Sequence, residues 1–166
     1  MLRIPVIAVL SAAAIALPGP CRAGRADCAL PACPVLYVID GDTIIVGVDG
    51  RRTTIRLIGV DAPETKDPRK PVDPAGWAST RYLRSVLAGE CVELELDEEV
   101  GRYDAYGREL AYVVRARDEL FVNLALVSAG QARAIRHFNY GYRDAFCAAE
   151  ARARSDGIGL WRRADR

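Results

Sequence analysis

Several side chains on which common enzymes depend are scarce in this sequence. It holds one histidine, one methionine and only two lysines, Lys66 and Lys70, among 23 basic residues. With His137 as the single imidazole, a Ser-His-Asp triad has one position from which to work, and nothing around it supports one. Gly-x-Ser-x-Gly, His-Glu-x-x-His and a glycine-rich phosphate loop are all missing, which removes the routes that depend on them. No apolar run reaches the ~20 residues of a bilayer-spanning helix. Excess charge is lacking too: 23 basic residues face 22 acidic ones, for a net charge of +1. That balance argues against holding a polyanion by bulk positive charge. What is present, 51% apolar and 27% charged residues over 166 positions, excludes a disordered or collagen-like chain and suits one domain. The other 21 cations are arginine. Codon bias is the plain reading. The sharper one is that the planar arginine fork pairs bidentately with phosphate and carboxylate.

The first residues have the order of a secretory leader. Arg3 supplies one charge, Ile4 to Leu17 an apolar stretch, Pro18-Gly19-Pro20 a helix breaker and Ala23-Gly24 a small-residue cleavage site. Cleavage is expected after Ala23, with Ala26 as the alternative. A lipid-modified Cys21 is disfavoured by the prolines before it. The expected product is secreted or periplasmic, with no stable membrane insertion, and a monomer. Losing residues 1–23 leaves 21 cations against 22 anions, a net charge of −1.

Four cysteines then remain, Cys28, Cys33, Cys91 and Cys147. In an exported domain they read as up to two disulfides with three possible pairings. Cys28–Cys33 as a local closure and Cys91–Cys147 as a long-range staple are the favoured set. A zinc site competes with this reading. It lacks a Cys-x-x-Cys knuckle, and His137 stands ten residues from Cys147.

Residues 24–34 read as an N-terminal loop, and residues 35–163 as the folded domain. Val35–Ile39, Thr43–Val48 and Thr53–Val60 are rich in Val, Ile and Thr, and Asp40-Gly41 and Asp49-Gly50 punctuate them as hairpin turns. Asp73-Pro74 predicts a capped helix start, with Ala75, Ala78, Tyr82, Leu83, Val86 and Leu87 at helical spacing and a stop at Gly89. Glu90–Asp97 alternates, placing Val92, Leu94 and Leu96 on one face. Glu109–Val114 predicts a fifth strand, Val122–Ser128 a short helix and Tyr142–Arg154 a final one. Five short strands bury their edges best by closing. The expected fold is α+β, a five-stranded OB-type β-barrel with about three flanking helices.

Three segments gather carboxylates and arginines at element ends: Asp40-Gly41-Asp42-Thr43, Arg56 through Glu64, and Asp104 through Arg108. Taken singly they are bland, since Asp beside Gly forms turns and Arg56 in an apolar strand needs a counter-ion. An EF-hand is excluded, because Ile45 and Arg51 stand where its Gly and Glu belong. Taken together, two aspartates and a backbone carbonyl can hold a hard divalent cation through oxygen. Two arginines can grip a phosphate and offset the added charge of a pentacoordinate phosphorus, and a glutamate can activate water. No histidine is required.

Val38-Ile39-Asp40-Gly41-Asp42-Thr43, Ile55 through Thr65, and Tyr106-Gly107-Arg108-Glu109-Leu110-Ala111-Tyr112 resemble, in order and spacing, the three motifs of the staphylococcal nuclease (thermonuclease) family. Val122-Asn123, Gly130 and Trp161 resemble its later landmarks, so the resemblance covers residues 35–161. It implies an OB-fold, calcium-dependent endonuclease that cleaves DNA and RNA to 3′-phosphate ends. By motif position it implies Asp42 and Asp61 as calcium ligands, with the carbonyl of Ala62. Arg56 and Arg108 become the phosphate-binding pair, Glu64 the general base or water-orienting group, and Tyr106 a wall of the nucleotide pocket. Arg136 and Phe138 align with two pocket tyrosines and are expected to bind substrate by stacking or phosphate pairing. Ala62 replaces the usual Thr, which keeps the carbonyl. Ala105 stands where the type enzyme has Lys, which removes one phosphate contact. A non-catalytic OB-fold module that binds nucleic acid or protein is the alternative, and its mark would be loss of these residues. A dedicated DNA-entry nuclease would share the chemistry and differ in biology. A near-neutral enzyme of this kind is expected to touch few phosphates and depend modestly on salt.

Overall fold

The structure, a computed structural model, describes residues 28–29, 31–64 and 74–162. The expected leader at 1–23, the Asp73 cap and the loop containing both lysines lie outside the described residues. Strands β1 (Cys33–Asp40), β2 (Thr43–Val48) and β3 (Arg51–Leu57) form the meander expected from the two Asp-Gly turns. β5 (Cys91–Glu95) pairs with β1, and β6 (Glu109–Arg115) pairs with β5, all antiparallel. β6 also pairs in parallel with β3 through Ile55–Glu109, Arg56–Leu110 and Leu57–Ala111. That last ladder closes a five-stranded barrel and leaves none of these strands with a long open edge. Ile44, Val46, Ile55, Leu57, Val92, Ala111 and Val113 fill it.

Three helices flank the barrel: α1 (Pro74–Leu87), α2 (Val122–Ser128) and α3 (Arg143–Ser155). α2 follows directly on the two-residue β7 (Leu120–Phe121). None of the helices among the described residues is long and apolar enough to cross a membrane. α1 buries Gly76, Ser79, Thr80, Leu83, Val86 and Leu87, a face turned from the expected Ala75, Ala78 and Tyr82 onto a glycine and two hydroxyl residues. The turn shows why. Thr80 donates to the Gly76 carbonyl at 2.9 Å and Ser79 to that of Gln131, so both hydroxyls are satisfied and the helix packs closely.

Two strands stop earlier than their patterns suggest. The expected Thr53–Val60 strand breaks at Gly59, which has φ of 75°. A Cβ there would lie 2.4 Å from the Tyr140 ring, so the chain turns beneath that ring on glycine alone. The short β4 (Val60–Asp61) then pairs with β8 (Arg133–Ala134). The expected Glu90–Asp97 strand ends at Glu95, and Leu96 is 50% exposed rather than on the inner face. Asp97 is responsible: its carboxylate accepts the Glu99 and Gly141 N–H groups at 2.9 and 2.8 Å, which pulls the chain out of the ladder. Asn123 ties the interior, donating to the Ile58 carbonyl and accepting the Val113 N–H, each at 2.9 Å.

The cysteine pairing differs from both expected bridges. Cys28 is joined to Cys91 with their Cα atoms 5.7 Å apart, while Cys33 and Cys147 are free thiols. The β1–β5 ladder places Pro34 opposite Cys91, so the segment leading into β1 runs beside β5. Cys147 instead packs from α3 against the core. Burial, with the charges of Asp49 and Glu109 adding to it, pushes the Cys33 thiol up. Alkylation of the unfolded, unreduced chain lacking residues 1–23 is therefore expected to add two labels by intact mass, slowly at Cys33 when native. A count of zero or four labels would contradict the pairing.

Candidate active site

The β1–β2 turn delivers Asp42 almost fully buried, at 7% exposure. Gly41 makes this possible by close approach. A Cβ on it would meet the Ala62 Cβ at 2.6 Å and the Ser79 Cβ at 2.7 Å, so the turn presses against both the post-β4 segment and α1. Gly41→Ala is expected to lose about 1–3 kcal/mol through overpacking and to displace Asp42 from Ala62. Thermal melting and turnover together test this; unchanged values for both would refute the close-approach argument.

Asp42 is held from three sides. Its Oδ1 accepts from the Thr43 hydroxyl at 3.0 Å, and its Oδ2 accepts the Ala62 N–H at 2.9 Å. Oδ2 also lies 3.1 Å from Arg56 Nη2. Burial pushes the Asp42 carboxyl up to about 6, against the pull of Arg56 and the Ala62 N–H, while Asp40 adds to the upward push.

Arg56 is fixed as firmly. Its Nη1 donates to the carbonyls of Val60 at 2.9 Å and Leu57 at 3.3 Å, and its Nη2 lies 3.8 Å from the exposed carboxylate of Asp61. These contacts occupy one side of the guanidinium and leave the Nε edge for another acceptor. Arg56 stands opposite Thr43 in the β2–β3 ladder and beside Leu110 in the β3–β6 ladder. The same closure brings in Arg108, whose Nη1 lies 3.5 Å from the Thr43 hydroxyl. Asp104 holds Arg108 from behind, accepting its Nε at 2.6 Å and its backbone N–H at 2.9 Å. Burial works upward on Asp104, but the hydrogen bonds from Arg108 and Tyr106 hold its carboxyl below the ordinary range. Arg108 also lies over the Tyr106 ring, 5.3 Å from its centroid.

Arg56, Tyr106, Arg108 and Phe138 line one open cavity of about 550 Å³. Seven of the nine expected site residues thus meet through direct contacts or this wall, from four separate segments: Asp42, Arg56, Asp61, Ala62, Tyr106, Arg108 and Phe138. Glu64 is exposed, just after the buried Pro63. Arg136 behaves differently: its Nη2 is 2.7 Å from Glu150, and it does not line the cavity. Two contributors carried no role in the sequence reading, Asp104 as the clamp on Arg108 and Thr43 as the link between Asp42 and Arg108. An Asp four residues before an Arg was the available signal for the first.

The donor set decides which ion the site suits. Among the described residues no group of three His, Cys, Asp or Glu side chains is arranged to hold a metal. Two carboxylates, Asp42 and Asp61, with a backbone carbonyl between their segments fit an oxygen-seeking divalent cation that keeps several waters. They do not fit a caged transition metal. The buried Asp42, pressed upward by Asp40, is a place where a cation relieves both burdens.

Comparison with known proteins agrees with this geometry. The profile of the family described as staphylococcal nuclease homologue matches residues 54–163. The chain is 40% identical over 146 residues to the thermonuclease of Staphylococcus intermedius, covering 87% of this chain and 84% of the relative. It is 35% identical over 159 residues to the thermonuclease of Staphylococcus hyicus, covering 95% and 92%. Endonuclease YncB of Bacillus subtilis is 38% identical over 125 residues, covering 74% of this chain and 58% of the relative.

Proposed function

The chain belongs to the staphylococcal nuclease family, and on that premise we propose that it is a secreted, calcium-dependent endonuclease of DNA and RNA. The observation that carries the proposal is the meeting of Arg56, from β3, and Arg108, from the loop before β6, on one cavity beside Asp42 and Asp61. A phosphodiester seated there accepts hydrogen bonds from both arginines. A water oxygen bonds to phosphorus while the bond to the 5′ oxygen breaks, which leaves a 3′-phosphate and, after protonation, a 5′-hydroxyl. The arginines are fixed before reaction, Arg56 by two carbonyls and Arg108 by Asp104, so their charge meets the transition state with little reorganisation. Glu64 accepts a proton from the attacking water or orients it. Tyr106 and Phe138 offer faces for the sugar and base. Asp42, Asp61 and the Ala62 carbonyl would hold the calcium, which would supply Lewis-acid polarisation of a phosphoryl oxygen. The leader-like order of residues 1–23 supports export.

The test is degradation of denatured DNA with calcium, without it, and with a chelator. Loss of all cleavage on chelation and its return with calcium is the expected result. Binding of DNA without cleavage under any metal condition would instead make the protein a non-catalytic module.

A further inference from the structure

A second cavity, about 640 Å³, opens on the far side of the loop that carries Arg108. Arg51, Arg52 and Arg102 line it, together with Tyr103, Asp49 and Glu109. Tyr103 lines the first cavity as well, so one residue borders both. We propose that this groove binds the nucleic-acid strand beyond the reacting phosphate, with Tyr103 stacking on a base and Arg51 and Arg52 contacting backbone phosphates. The proposal rests on the nuclease reading and extends its substrate from a single phosphodiester to a single strand several nucleotides long.

The charges in the groove are not equivalent. Arg102 is committed: its Nε lies 2.9 Å from Glu109, and its guanidinium lies 5.5 Å from the centre of the Tyr103 ring. That contact steadies a ring that is 58% exposed, and an exposed aromatic braced by an arginine is a stacking platform. Arg51 and Arg52 open β3 and are both exposed, and among the described residues neither forms an ion pair. Asp49, at the tip of the hairpin, subtracts one charge and narrows the free cationic edge to the Arg51–Arg52 side. On a chain with 23 basic against 22 acidic residues, two unpaired arginines beside a stacking ring form a local site rather than part of a basic surface. A single strand suits it better than a duplex, because only unstacked bases offer a face to Tyr103.

The experiment compares the parent protein with Arg51→Ser/Arg52→Ser and with Tyr103→Ala, after melting curves show that each variant is folded. The double variant is expected to raise KM for long denatured DNA about tenfold with kcat retained, and to reduce the dependence of log KM on log salt by about 1.4, at ~0.7 per phosphate contact. For a dinucleotide, which ends short of the groove, KM is expected to change less than twofold. Tyr103→Ala is expected to weaken the long substrate fivefold or more, as for loss of one base stack. Equal KM and salt dependence on long DNA would overturn the proposal. So would a rise in KM of the same size on the dinucleotide. Should the parent cleave neither substrate, the nuclease reading fails on its own. Anisotropy of labelled oligothymidylate then decides the groove, and unchanged affinity and salt dependence in the double variant would refute it.

Discussion

Arg56→Ala is expected to lower kcat on denatured DNA by three orders of magnitude or more, on the order of the effect of other transition-state arginines. One guanidinium does three things here, and all are lost together. It presents an N–H edge to the cavity, it bonds the carbonyls of Val60 and Leu57, and it neutralises Asp42 at 3.1 Å. Without it, the desolvated Asp42 carboxyl, already pushed up to about 6, moves further up and presents less negative charge at neutral pH. At the proposed calcium site, affinity should therefore fall along with turnover. Arg56→Lys is expected to recover little, because an ammonium on a flexible stem cannot reproduce a fork that contacts two carbonyls and a carboxylate at once. Single-turnover rates at saturating calcium, with circular dichroism to establish folding, make the measurement. A rate within tenfold of the parent would reduce Arg56 to a structural ion-pair partner.

Local patterns were readable where a local rule acts alone. The helix at Val122–Ser128 and the strand at Thr43–Val48 agree with their periodicity to the residue. Closure of the barrel followed from counting short strands that need partners. The convergence of Asp42, Arg56 and Arg108 was legible because three linked segments constrain one another, as no single Asp-Gly does. What could not be read depends on which distant surfaces meet. The pairing of Cys28 with Cys91 follows from the β1–β5 register, which no spacing of cysteines encodes. The early end of β5 follows from Asp97 capturing an N–H from Gly141, 44 residues away. Arg136 aligned with pocket residues, but alignment says nothing of a carboxylate buried on the next helix that competes for it.

That carboxylate, Glu150, carries the second large prediction. It is 1% exposed and receives Arg136 Nη2 at 2.7 Å on one oxygen and Arg154 Nη2 at 2.7 Å on the other. Burial alone would raise its carboxyl, but the hydrogen bonds and charges of Arg154 and Arg136 more than offset that and hold it below the ordinary range. Removing both partners as Arg136→Met/Arg154→Met strands the charge and is expected to destabilise the fold by about 3–5 kcal/mol. Methionine keeps the apolar stem but not the guanidinium carbon of Arg154 that lies 3.7 Å from the centre of the Trp161 ring, so part of the loss is that contact. Glu150→Gln is expected to lose less, about 1–2 kcal/mol, because the two arginine heads are about half exposed and regain water. The pH dependence separates charge from packing. In the parent the folded value is depressed, so this contribution is fully present above the unfolded value near 4.5 and lost as pH falls through the folded one. In the double variant the folded value lies above the unfolded one, so protonation stabilises it as pH falls from neutrality. The melting-temperature gap between parent and double variant should therefore narrow steadily as pH falls from neutral toward 4.5, with Glu150→Gln showing no such trend relative to the double variant carrying it. A gap that stays constant across that range would mean that the arginines stabilise α3 by packing rather than by neutralising the buried Glu150.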